Sequence, residues 1–241
     1  MPKAHEGKVA LVTGGAKRIG RSIAEKLSAL GAAVVVNYQN SKAEADELVA
    51  SLQAVGGRAL AWQADVSRRE EVVRMFEAVR AEFGRLDILI NNAAIFFPAP
   101  FESLTDEQWD RIMNSNLKSA FLCSQAATPL LRASGGQIIN MSSLGGLLSW
   151  PTYTHYCVSK AGVIMLTRCM ARALAPEIRV NSIAPGTIEF PGETSHEDFI
   201  RRAPLHRTGT GEDITSAVEY LLSADFVTGQ TIVVDGGRQI V

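Results

Sequence analysis

Tyr156 and Lys160 are the residues in this sequence best suited to acid–base chemistry. They stand four apart in a helical stretch, so they share one helix face. A free tyrosine has a pKa of about 10 and exchanges protons poorly at neutral pH. A neighbouring ammonium stabilises the phenolate and lowers that value, making the pair a candidate proton donor. A Tyr-x-x-x-Lys spacing alone also describes an ordinary surface pair. A second feature gives it context: Thr13-Gly14-Gly15-Ala16-Lys17-Arg18-Ile19-Gly20, placed between an apolar run and an amphipathic one. Glycines let a backbone turn tightly against a pyrophosphate. The helix that follows offers free N–H groups and the positive end of its dipole. A strand before and a helix after make this turn a dinucleotide-binding pattern.

The charges around the turn predict which dinucleotide. Enzymes that take NAD commonly end the second strand with an acid that accepts hydrogen bonds from the ribose hydroxyls. Here that region reads Val36-Asn37-Tyr38-Gln39-Asn40-Ser41, without a carboxylate, while Lys17 and Arg18 lie in the turn. A 2′-phosphate is repelled by a carboxylate and attracted by a cation. NADPH is therefore the expected cofactor, with Lys17 and Ser41 as candidates for its 2′-phosphate.

The elements that must position these residues alternate along the chain. Strands are expected over 9–12, 33–37, 59–63, 88–91, 137–141, 179–183 and 231–234. Helices are expected over 18–30, 42–55, 154–174 and 212–223. Ser67-Arg68-Arg69-Glu70 and Thr105-Asp106-Glu107-Gln108 are capping-box patterns opening two more helices, the second running unbroken to Gly135. The strand runs are apolar on both faces rather than alternating, which suits a parallel sheet covered on both sides. The expected fold is α/β: one Rossmann-type, doubly wound domain over 1–241, its site outside the strands' carboxyl ends. Residues 186–211 lack strong periodicity and are expected to form an irregular substrate lid.

Composition narrows the remaining classes. The 241 residues are 46% hydrophobic with a formal net charge of −1, so no nucleic-acid or membrane partner is expected. No apolar run approaches the ~18–20 residues of a membrane span. The polar first eight residues are unlike a secretory signal, and a cytoplasmic protein is expected. Cys123, Cys157 and Cys169 have no metal-like spacing and read as small buried residues; no metal site is expected.

Over nearly its whole length the chain resembles the short-chain dehydrogenases/reductases. The matching elements are the glycine turn, Asp65-Val66, Asn91-Asn92-Ala93-Ala94, Asn116, Ser142-Ser143, Tyr156-x-x-x-Lys160, Pro185-Gly186 and Val234-Asp235-Gly236-Gly237. The resemblance implies that Tyr156 exchanges the proton and Lys160 holds the nicotinamide ribose and tunes Tyr156. Ser143 would polarise the reacting group, and Asn116 would support a proton relay. It further implies a cofactor lined by Gly14, Ile19, Gly20, Asp65, Val66, Asn92, Pro185, Gly186 and Ile188, and a homotetramer acting on a small molecule. Arg18, where a glycine is usual, and Phe96 resemble the pteridine reductase branch, including dihydromonapterin reductases. In that branch the aromatic stacks on the pterin and the arginine touches both cofactor and substrate. The sequence thus leans to a pterin reductase. Ser143 stands where pteridine reductases often carry an aspartate, and a serine suits ketone reduction, as in 3-oxoacyl-carrier-protein reductases. A non-catalytic nucleotide sensor on the same fold would have no use for Ser143, Tyr156 and Lys160 together.

Overall fold

The computed structural model describes residues 3–192 and 196–241. Seven parallel strands form one sheet in the order β3-β2-β1-β4-β5-β6-β7. They are β1 Val9–Val12, β2 Ala33–Tyr38, β3 Ala59–Gln63, β4 Ile88–Asn91, β5 Gln137–Met141, β6 Arg179–Pro185 and β7 Thr231–Val234. The helices are α1 Arg18–Ala29, α2 Lys42–Ala54, α3 Arg69–Phe83, α4 Asp106–Met113, α5 Ser119–Ser134, α6 Thr154–Leu174, α7 Glu197–Arg202 and α8 Gly211–Ser223. Successive strand residues point to opposite faces, and both faces are dry. Ala10 and Val12 pack into one core with Ile23 and Leu27 of α1, Leu48 of α2 and Val218 of α8. Val9 and Leu11 pack into the other with Met75 and Val79 of α3, Leu122 and Leu131 of α5 and Ala171 of α6. The strand order reverses between β1 and β4, which opens a crevice at their carboxyl ends.

Four expectations require correction. The Ser67–Glu70 capping box does not form. The Ser67 hydroxyl donates instead to Asp65 Oδ1 at 2.6 Å, and Glu71, not Glu70, reaches back to the Asp65 N–H at 2.7 Å. An ionised acceptor makes the stronger bond, so Asp65 takes the serine. The Thr105–Gln108 box is present as expected, and a further box, Thr210 with Asp213, opens α8. The long helix before Gly135 is broken by a π-helical segment, Asn114–Lys118, between α4 and α5. Residues 186–211 are not wholly irregular: they hold α7 and a bridge pairing Ile188 with Gly209, residues 193–195 lying outside the described residues. Of the three cysteines only Cys123 is buried; Cys157 is half-buried and Cys169 exposed on α6.

Candidate active site

The turn after β1 is built on three polar residues beneath it. Gly14 takes a left-handed backbone, φ +59°, and donates its N–H to Asn37 Oδ1 at 3.2 Å. The Gly15 N–H is taken by the Asn37 carbonyl at 2.8 Å. From the other side Asn92 Nδ2 donates to the carbonyls of Thr13 (2.9 Å) and Gly14 (3.0 Å), while Thr13 Oγ1 accepts from the N–H groups of Asn92 and Ala93. A Cβ at Gly20 would lie 2.2 Å from the Gly14 carbonyl oxygen, so this close crossing of turn and helix requires glycine. Asn92 and Gly20 therefore shape the turn from behind, and Ile19 packs against the core.

In front of the turn lies a cleft of about 230 Å³. Gly14, Lys17, Ser41, Asp65 and Val66 line it as expected from the sequence, together with Tyr38 and Gln39 of the second strand's end and Ala93 and Ile95 beyond β4. Lys17 Nζ is 2.5 Å from Glu44 in the first turn of α2, a carboxylate that the reading of 36–41 did not include. Both side chains are well exposed, so the pair is weak and the ammonium can be shared with an anion. Asn37 also lines the cleft, but its side chain is spent beneath the turn. It is 1% exposed, and its Nδ2 donates to the carbonyls of Ala64, Trp62 and Tyr38. Arg18 holds φ +51°, uncommon for a residue with a Cβ, and its guanidinium stands 5.0 Å from the centre of the Phe190 ring. Ile188 is buried in the core and pairs with Gly209. Pro185 ends β6, and the Gly186 N–H bonds to Val234, with no room for a Cβ against Asp235.

The acid–base group forms where β5 ends beside α6. Ser143 caps a 3-10 turn, Leu144–Gly146, accepting the Gly145 N–H at 3.1 Å. Its side chain lies close enough to Tyr156 to favour the ionised phenol. One turn along α6, Lys160 is 3% exposed; its ammonium donates to the Met141 carbonyl at 2.8 Å and lies 5.9 Å from the centre of the Tyr156 ring. Burial lowers Lys160 to about 8. Burial also raises Tyr156 above its ordinary value, with Ser143 pulling the other way. The expectation that Lys160 lowers Tyr156 is thus corrected: desolvation of the phenolate dominates and the hydroxyl stays protonated at neutral pH.

Asn116 sits in the π-helical segment with both ends of its amide taken. It accepts the Ile95 N–H at 2.8 Å and donates to the Ile95 carbonyl at 3.0 Å and to Ser159 Oγ at 3.2 Å. Its side chain ties the segment after β4 to α6 and does not reach Tyr156 or Lys160 with a free group. Phe96, 54% exposed, stacks on Tyr153 at 4.4 Å and 2° and meets Tyr156 edge-on at 4.7 Å. Trp150 lies parallel to Tyr156 at 6.1 Å. One face of Phe96 is therefore already covered. The sequence reading gave no role to Asn37, Trp150, Tyr153 or Ser142, whose hydroxyl bonds to the Lys160 carbonyl. Trp150 packs on Gly145, where a Cβ would lie 2.9 Å from the indole.

The family model described as Enoyl-(Acyl carrier protein) reductase matches residues 14–239. A 3-oxoacyl-[acyl-carrier-protein] reductase of Staphylococcus aureus is 42% identical, the alignment covering 95% of this chain and 97% of that one. A protein of the same name from Synechocystis is 38% identical, over 95% and 96%. Among solved structures, a blue fluorescent protein from a metagenomic library, in complex with NADPH, has a TM-score of 0.92 at 34% identity, covering 98% and 99%. A mutant short-chain dehydrogenase/reductase of Serratia marcescens has 0.93 at 31%, with the same coverage. These relatives do not carry the pteridine reductase name towards which Arg18 and Phe96 leaned. With the glycine turn, Ser143, Tyr156 and Lys160 assembled in one parallel sheet, the chain belongs to the short-chain dehydrogenase/reductase family of oxidoreductases.

Proposed function

We propose that this protein is an NADPH-dependent reductase of a small ketone, in the manner of a 3-oxoacyl thioester reductase. The carrying observation is Ser143 set against Tyr156, with Lys160 buried one turn along α6. A serine hydroxyl hydrogen-bonds a ketone oxygen as charge develops on it. It cannot give a second proton to a ring nitrogen, as a carboxylic acid could. The 3-oxoacyl reductase names of the relatives support the same choice.

The cleft fits a dinucleotide: Gly14 turns in the left-handed region, Gly20 lets the turn close against α1, and Lys17 and Ser41 line the cleft by the end of β2. Bound there, NADPH supplies the hydride. In this reading, Asp65 and Val66 hold the adenine end, with Pro185, Gly186 and Ile188 at the nicotinamide end. Ser143 orients the substrate oxygen, and Tyr156 passes its hydroxyl proton to that oxygen. Lys160, charged at neutral pH, holds the ribose and stabilises the tyrosinate left behind. The test is NADPH oxidation, followed by absorbance, with an acetoacetyl thioester and with dihydrobiopterin. Turnover of the thioester alone is the expected result; turnover of the pterin alone would reverse the reading. A homotetramer and a cytoplasmic location belong to the same proposal.

A further inference from the structure

A second cavity lies at the opposite end of the sheet from the glycine turn, below the amino-terminal ends of β1 and β2. At about 530 Å³ it is larger than the cofactor cleft. Lys3, Lys8, Ser28, Gly57, Arg58 and Arg85 line it, with Glu6 as the acid on its wall. The two arginines are neutralised: Arg85 grips Asp87 with two bonds, 2.6 and 2.9 Å, and Arg58 bonds to Glu82 at 2.8 Å. Lys3 and Lys8 have no ion-pair partner among the described residues, while Glu6 accepts only the Lys3 backbone N–H. Ser28 is 95% buried, yet its hydroxyl makes no hydrogen bond among the described residues. A Cβ at Gly57 would lie 2.5 Å from that hydroxyl, so only glycine leaves it reachable. That hydroxyl oxygen is not sealed from solvent but opens onto the cavity, whose wall also carries Lys3 and Lys8.

We propose that this cavity binds a phosphate monoester, a site distinct from the cofactor cleft. Two ammonium groups match a phosphate's charge, the Ser28 hydroxyl donates to one of its oxygens, and the volume suits a small-molecule ligand. Arg58 and Arg85 form the walls, held in place by Glu82 and Asp87 rather than spent on the ligand. Asp87 also accepts the Val9 N–H at 2.9 Å, which joins this end of the sheet to β1 and its glycine turn.

The probe is glycerol 3-phosphate, titrated calorimetrically into the full chain with NADPH saturating, so that the cofactor cleft is closed to it. Wild type is expected to bind it, and glycerol not at all. The double variant Lys3→Ala/Lys8→Ala is expected to weaken binding about tenfold or more. Ser28→Ala is expected to weaken it several-fold, with NADPH oxidation unchanged in both. Lys42→Ala, a lysine removed from a distant surface pair with Asp46, is expected to bind as wild type does. No heat in wild type, or equal binding by wild type and the double variant, overturns the proposal. Neither result bears on ketone reduction, which the oxidation assay reads separately.

Discussion

Tyr156 carries the proton, so Tyr156→Phe is expected to lower turnover by ~10²–10⁴-fold. The retained ring should keep NADPH affinity within a few-fold by fluorescence titration. Lys160 sets the upper limb of the pH profile. Its amine is charged below about 8 and neutral above, so ketone reduction should fall as pH rises through that value. Tyr156, raised by burial, stays a donor across the same range and adds no limb below it. A profile flat to pH 10 would remove Lys160 from the mechanism. Asn37 looks in the sequence like the place to install an acid and recruit NADH. Its amide instead donates to three buried carbonyls and accepts from Gly14. Asn37→Asp sets a carboxylate against those carbonyls and should cost about 1–3 kcal/mol in urea unfolding, without producing NADH preference. Glu44 competes for Lys17, so Glu44→Gln should raise the ratio of NADPH to NADH efficiency a few-fold, and Lys17→Ala should lower it.

At the scale of elements, two devices place the site. The π-helical segment between α4 and α5 brings Asn116 against Ile95 and Ser159, clamping the loop after β4 to the helix that bears Tyr156. A hydrophobic pattern of period 3.6 runs through such a segment without revealing the extra residue, so the sequence reads as one long helix. The second device is the Thr210–Asp213 box, which starts α8 beneath the first core. Asp213 is held well below the usual carboxylate range, first by Arg207 and then by the Thr210 groups. A carboxyl lowered in the folded state contributes stability above its unfolded value, which is lost as pH falls through the acid range below about 4. Thr210→Ala should cost about 1 kcal/mol at neutral pH by urea midpoint, leaving the KM for NADPH unchanged.

The whole molecule joins two polar ends through a dry sheet. At one end the strand-order reversal opens the cofactor crevice; at the other the loops leave the cationic cavity. Light scattering tests the assembly and is expected to give four 26.0 kDa chains per particle. Large apolar side chains at the exposed carboxyl end, Ile240 and Val241, support a buried place for that end.

Much of this was legible in the chain itself. Short runs apolar on both faces, such as those of β1 and β2, specify strands covered on both sides. The glycine turn, Ser143 and the Tyr156–Lys160 spacing specify the chemistry, because local geometry alone sets what they can do. Tertiary structure decided the rest, since it depends on partners remote in sequence. Asn37 is buried under the turn because β3 lies beside β2. Tyr156 is raised rather than lowered because packing removes water from its ring. Lys17 meets a carboxylate because α2 begins beside the turn. Ser143 stands against Tyr156 because β5 ends beside α6. Charge, burial and hydrogen bonding act through space, and a linear pattern records only the residues that could take part.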